Sequence, residues 1–162
     1  MRFDQRSNWP FFEQVAPSVI EALRMLSKAV DDSGLDKQLT ELLKLRASQL
    51  NGCAFCLQFH LNLARKLGLA QIKIDLVASW REANVFSVRE RSALAWTEAL
   101  TLMAHQDITD PLYAEVKNAF TESEIVFLTT AVGAINAWNR IAGALQFSPP
   151  LPLDQRQNSE KT

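Results

Sequence analysis

The sequence predicts a single all-α domain of six or seven helices, built around an antiparallel helical hairpin. Three observations predict it. Apolar residues recur at three- and four-residue spacing along most of the chain. No stretch alternates with a period of two for long enough to specify a strand. Helix-start signals are frequent, including two capping boxes, Ser87-Val88-Arg89-Glu90 and Thr121-Glu122-Ser123-Glu124.

The elements follow in order. Residues 10–31 carry Phe11, Val15, Val19, Leu23, Leu26 and Val30 on one stripe, with Pro17 placed to kink or split the helix and Gly34 placed to end it. A second helix is expected from Asp36 to Leu50, its apolar side marked by Leu39, Leu42, Leu43 and Leu50. Asn51-Gly52 is a turn signal. A third helix runs from Cys53 to Leu67 and stops at Gly68, and a shorter one covers 70–82. The first capping box opens a helix that reaches His105. Asp110 is the expected N-cap of a helix over 111–120, with Pro111 at its first position. The second capping box opens a long apolar helix to Leu145. The helical domain is thus assigned to residues 1–147. The proline-rich, polar stretch 148–162 is expected to be extended or flexible unless a partner chain holds it.

Composition narrows the function. A chain of 162 residues, 48% hydrophobic and 22% charged, is long enough and apolar enough for a packed core. With 17 basic against 18 acidic residues the net charge is -1. No single-sign field is available, so neither nucleic acid nor a membrane is expected as a partner. The start, MRFDQRSNWPFF, is charged and lacks the apolar run of a signal peptide, and no segment approaches the ~20 apolar residues that span a bilayer. A cytoplasmic location is expected. No G-x-G-x-x-G or P-loop string occurs, which argues against nucleotide cofactors.

The chemistry concentrates in residues 41–68, ELLKLRASQLNGCAFCLQFHLNLARKLG. Two cysteines are too few for a secreted disulfide scaffold. A C-x-x-C pair in a reducing compartment points first to redox chemistry or to half of a metal site. On the third helix Cys53 and Cys56 stand at i and i+3, and Cys56 and His60 at i and i+4, so all three share one stripe. Both cysteines fall in the first turn, where free backbone N–H groups and the positive end of the helix dipole favour a thiolate. His60 is one turn further in, within reach of Cys56 directly or through one water. Glu41 lies ten residues before Asn51 and His60 nine after it. In an antiparallel hairpin both then stand about 13–15 Å from the turn, at ~1.5 Å per residue. Whether their faces meet is left open by this arithmetic.

This segment resembles the AhpD-like alkylhydroperoxidases of the carboxymuconolactone decarboxylase superfamily. Their pattern is a glutamate, eleven residues, C-x-x-C, three residues and a histidine, here Glu41, Cys53, Cys56 and His60. LLKLRASQLNGCAFC, the Trp80-Arg81 to Trp96 stretch and INAWNRIA (135–142) look like the same family, and the resemblance covers most of 1–147. One position departs: where the best-studied branch has a second histidine before the second cysteine, this chain has Phe55.

The resemblance implies an antioxidant thiol peroxidase. Cys56 would attack the peroxide, Cys53 would close a disulfide with it, and Glu41 and His60 would move the protons. An external dithiol, lipoyl-type or thioredoxin-like, would reduce the disulfide. No metal, haem or flavin is implied, and a homo-oligomer, trimer or hexamer, is expected.

Other readings stand beside this one. The same C-x-x-C pair also fits a redox-sensing or zinc-binding regulatory module, although zinc takes four ligands and the stripe supplies three. A lactone decarboxylase would not depend on the cysteines, and a thioredoxin-type enzyme would place them in a βαβ setting. His105 is expected at the surface, and Trp80, Trp96 and Trp138 in the core or at an interface. Asn136, Asn139 and Arg140 are polar groups on an apolar helix, suited to capping neighbours or lining an interface, with a smaller chance of touching the pocket. Lys44 and Arg46 read as solvated charges, either of which is placed to lower a thiol pKa.

Overall fold

The computed structural model describes residues 6–152, and among these the chain forms eight α-helices and no strand. The expected all-α class holds. The helix count exceeds six or seven because Pro17 separates α1 (Trp9–Val15) from α2 (Pro17–Asp32). Proline disfavours helical backbone in the residue before it, and Ala16 accordingly leaves the helical region at φ -134°, ψ 47°. Pro17 then occupies the start of α2, where its missing N–H costs no helical hydrogen bond.

Side-chain caps place the remaining starts. Asp36 accepts from the Gln38 N–H at 2.8 Å and opens α3 (Lys37–Leu50). Cys53 is the N-cap of α4 (Ala54–Lys66). Gly68, in the left-handed region at φ 76°, carries the chain out of α4 toward α5 (Gln71–Leu76). The helix expected over 70–82 is shorter than that: after Leu76 the backbone tightens into a 3₁₀ turn, Val77–Ser79. Both capping boxes form, on α6 (Val88–Thr101) and on α8 (Glu122–Leu145). The helix α6 ends at Thr101 rather than at His105, which lies in an exposed turn. The cap of α7 (Asp110–Ala119) also differs from expectation. Thr109 is the N-cap, its hydroxyl accepting from Leu112 N–H, and Asp110 lies in the first turn beside Pro111. A carboxylate there still favours the positive end of the helix.

The centre of the fold is α3, which packs on α4, α6, α8 and the 3₁₀ turn. Its Leu39, Leu42, Leu43 and Leu45 are buried among Leu94 of α6, Leu128 and Val132 of α8, and Trp80. Trp96 is buried in the same cluster. A buried Glu98 on α6 ties three segments together: it accepts from Arg46 Nε at 2.6 Å, from Trp80 Nε1 at 2.9 Å and from Arg81. Burial pushes that carboxyl up, but the Trp80 donor and the two guanidiniums outweigh it and leave it below its ordinary value. Arg46 is thus held by α6 rather than solvated. After α8, residues 148–152 have no regular structure, and Asn62 of α4 donates to the Pro150 carbonyl at 2.9 Å. The rest of the expected tail, 153–162, lies outside the described residues.

Candidate functional site

The turn between α3 and α4 builds the site. Gly52 adopts φ 63°, a left-handed conformation that suits glycine, and lets the chain reverse within two residues. Two hydrogen bonds close that reversal, Gly52 N–H to the Gln49 carbonyl at 3.2 Å and Cys53 N–H to the Ser48 carbonyl at 3.1 Å. Cys53 then takes extended backbone as the N-cap, and its Sγ accepts from the Cys56 N–H at 3.3 Å. A thiol thus stands where a serine or aspartate usually caps a helix.

Cys53 and Cys56 are both free, and both are buried, at 2% and 3% exposure. Their sulfurs are 2.6 Å apart. The Cys53 thiol is drawn down to about 7, first by the proton that Cys56 donates to it. Burial opposes this, and the Cys56 backbone N–H and the Asn139 amide add to it. Cys56 is pushed up, because it keeps the proton that Cys53 accepts and because it is buried. As the pair loses a proton, the charge therefore falls on Cys53 and the remaining proton stays on Cys56.

Glu41 and His60 meet across the hairpin, Oε2 lying 2.6 Å from Nδ1. The other carboxylate oxygen takes Lys44 Nζ at 2.7 Å. Glu41 is 2% exposed. Burial alone would raise its pKa, but His60 and Lys44 together outweigh that and hold the carboxyl below its ordinary value. Lys44, expected as a solvated charge or a thiol's neighbour, is instead the carboxylate's second partner. With Nδ1 held by Glu41, Nε2 is the ring atom left to exchange a proton elsewhere. Of the two routes expected between His60 and Cys56, directly or through one water, the direct one is not formed: among the described residues no hydrogen bond joins His60 to either sulfur.

Phe55, between the two cysteines, places an aromatic ring beside them. Its ring stacks on Trp9 at 5.8 Å and on Phe59 at 6.5 Å, and meets Phe147 edge-on at 5.5 Å. Trp9 in turn lies 6.0 Å from Trp138. The rings of Trp9, Phe55, Trp138 and Phe147, with Ile135 and Ala142 of α8, form with the two cysteines a cluster separate from the main core, while Phe59 is exposed. Helix α1 is pinned there by Ser7 N–H, which donates to the Leu145 carbonyl at 3.1 Å.

Of the polar groups on α8, Asn136 and Asn139 both accept from Asn51 Nδ2, at 3.0 and 2.8 Å. Asn139 Nδ2 donates to Ser48 Oγ at 3.0 Å. Arg140 is exposed and donates back to the Asn136 carbonyl one turn earlier. The sequence marks Asn139 as a polar group on an apolar helix suited to capping neighbours, and in the structure it bridges Asn51 and Ser48 on the α3–α4 hairpin.

Residues 17–99, which contain Glu41, Cys53, Cys56 and His60, match the profile of the carboxymuconolactone decarboxylase family. The protein YdfG of Bacillus subtilis (strain 168) is 34% identical over 134 residues, 83% of this chain and 91% of its own length. The crystal structure of ATU0492 from Agrobacterium tumefaciens, a protein of unknown function suggested to be the antioxidant defence protein AhpD, is 38% identical. It superposes with a TM-score of 0.83 over 87% of this chain and 97% of its own. The debrominase Bmp8 shares the fold at 18% identity, with a TM-score of 0.74 over 82% of this chain and 72% of its own.

Proposed function

The chain belongs to the carboxymuconolactone decarboxylase family, and from that premise we propose that it is an AhpD-like thiol peroxidase that reduces hydroperoxides through Cys53 and Cys56. One observation carries the reading: two free sulfurs 2.6 Å apart at the first turn of a helix, with a Glu41–His60 pair on the same hairpin. The fold alone does not select the reaction, since a debrominase has it too.

The steps balance as two thiols plus one hydroperoxide giving a disulfide, an alcohol and water. Movement of the shared proton from Cys56 to Cys53 leaves the charge on Cys56, the sulfur one turn from His60. The Cys56 thiolate attacks the outer peroxide oxygen, the O–O bond breaks, and Cys56 becomes a sulfenic acid. The departing alkoxide takes a proton from His60, delivered through a water and replaced from bulk solvent, while Glu41 stabilises the imidazolium. The Cys53 sulfur then attacks the Cys56 sulfur. The hydroxyl leaves as water with the Cys53 proton, and the Cys53–Cys56 disulfide forms. A dithiol, lipoyl-type or thioredoxin-like, returns two electrons and two protons by thiol–disulfide exchange. The exposed apolar residues Val19, Met25 and Leu26 of α2 support assembly as a homo-oligomer.

The zinc-binding alternative has less support. Among the described residues no three histidine, cysteine or acidic side chains converge as a ligand set. No described helix is long and apolar enough to cross a membrane.

The direct test is a thiol titration with intact mass before and after a small excess of cumene hydroperoxide. The expected result is the loss of both thiols and of the mass of two hydrogen atoms. Thiols that stay free would overturn the peroxidase reading, and thiols shielded until a chelator is added would favour metal binding.

A further inference from the structure

We propose that Lys44 is a positioning residue of the site: it holds one oxygen of Glu41, balances its buried charge, and so keeps the proton on His60 exchangeable. The proposal rests on the reading of Glu41 and His60 as the proton relay of the two thiols.

Helix α3 makes the contact. Lys44 stands three residues after Glu41, one turn along the same face. Its Nζ donates to Oε1 at 2.7 Å, while Oε2 lies 2.6 Å from His60 Nδ1 across the hairpin. Each carboxylate oxygen thus has its own partner, and the side chains form one chain, Lys44–Glu41–His60. Those of Glu41, His60 and Lys44 are only 3%, 12% and 14% exposed. The ion pair of Lys28 and Asp32 on α2, by contrast, is 62% exposed at both ends. A surface pair of that kind is screened by water and contributes little. A shielded pair is not, and removing one partner leaves a charge with nothing to balance it.

The titratable groups set against His60 are Glu41 from α3 and, on its own helix, Cys56, which makes no hydrogen bond to the ring. Charges on the neighbouring elements are engaged elsewhere. Glu98 of α6 holds Arg46 and Arg81, Glu90 of α6 holds Lys73 of α5, Arg89 of α6 holds Glu124, and Arg140 of α8 turns back to Asn136.

With Lys44 in place, the imidazole meets a carboxylate whose charge is already compensated. Without it, the one counter-charge hydrogen-bonded to Glu41 would be the imidazolium, and the carboxylate would hold that proton tightly. A relay works best when its proton is given up and taken back near the working pH. Lys44 therefore tempers Glu41, which orients the ring without locking the proton onto it.

The test is a proton NMR titration of the full-length protein. The chain has two histidines, His60 and the exposed His105, so two imidazole signals are expected, and His105→Gln assigns them. In Lys44→Met the pH at which the Glu41–His60 pair takes up its proton should rise by about one to two units, the usual effect of removing a neighbouring opposite charge. Lys44→Arg, which keeps the charge, should titrate close to the parent. An unchanged midpoint in Lys44→Met overturns the proposal. An equal rise in both variants also overturns it, because packing and not charge would then be responsible. If thermal unfolding shows that Lys44→Met is not folded, Lys44→Gln is read in the same way. If neither folds, the parent decides. Lys44 ammonium hydrogens that exchange with water more slowly than those of exposed lysines support the proposal, and equally fast exchange overturns it. The pH dependence of peroxide consumption should move up with the midpoint. A protein that shows the NMR shift but consumes no peroxide, parent included, would count against the proposed reaction and not against Lys44.

Discussion

Glu41 and His60, nineteen positions apart, meet across the α3–α4 hairpin with 2.6 Å between Oε2 and Nδ1. The carboxylate is buried, and its second oxygen is taken by Lys44. Glu41→Gln keeps the shape and removes the charge that stabilises a protonated imidazole. Peroxide turnover should fall by about 10²–10⁴-fold, the usual scale of a lost acid–base relay. The number of titratable thiols should not change. Turnover within twofold of the parent would remove Glu41 from the relay.

The same carboxylate gives a stability prediction. Its folded pKa lies below the ordinary 4.5, so its contribution is complete above that value and is lost as pH falls through the folded pKa. Thermal unfolding of the parent and of Glu41→Gln, stepped from neutral pH down through the carboxylate range, should show a gap that closes with acid. A gap independent of pH would mean that the charge of Glu41 does not stabilise the fold.

The hairpin was largely legible in the sequence, and the reasons are local. The Asn-Gly turn, the apolar leucines of α3 and the position of Cys53 at a helix start all act within a few residues. Counting residues from the turn set Glu41 and His60 at equal heights, though it left open whether their faces met. What the sequence did not show comes from partners far away in the chain. Arg46 is captured by Glu98, and Cys53 and Cys56 pack in one cluster with Ile135 and Ala142 of α8 and the rings of Trp9 and Phe147. Nothing in the spacing of α4 records which residues of α1 and α8 fold back on it. The shift of the α7 cap from Asp110 to Thr109 is a smaller case, since adjacent good caps differ only in which one takes extended backbone.

The shared proton yields a prediction about Cys53. Its pKa of about 7 depends first on the hydrogen donated by Cys56. Cys56→Ala removes that donor, while the backbone N–H at position 56 stays. The remaining thiol should ionise about one unit higher or more, since charge-assisted hydrogen bonds are of that size. The ultraviolet absorbance of the thiolate, followed against pH, reads this directly. A Cys53 that still ionises near neutrality would assign the shift to the helix terminus alone.

The two cysteines should differ in how they fail. Cys56→Ser should abolish turnover, because the attacking sulfur is gone. Cys53→Ser should consume one equivalent of peroxide and stall as a sulfenic acid, which a dimedone adduct in the mass spectrum would record. Sustained, equal turnover by both variants would sink this division of roles.

Access to the sulfurs should depend on Trp9. Its ring stacks on Phe55, the residue between the cysteines, and α1 is held over the site by the Ser7–Leu145 hydrogen bond. Trp9→Ala should destabilise the protein by about 2 kcal/mol, the scale expected for a half-buried aromatic ring. It should also uncover the pair. A bulky aromatic disulfide reagent should then modify the thiols several-fold faster, while a small alkylating agent gains less, because small molecules reach the buried sulfurs with less displacement of the rings. Equal acceleration for both reagents would point to general loosening of the domain. Unchanged rates would mean that Trp9 supports α1 without covering the cysteines.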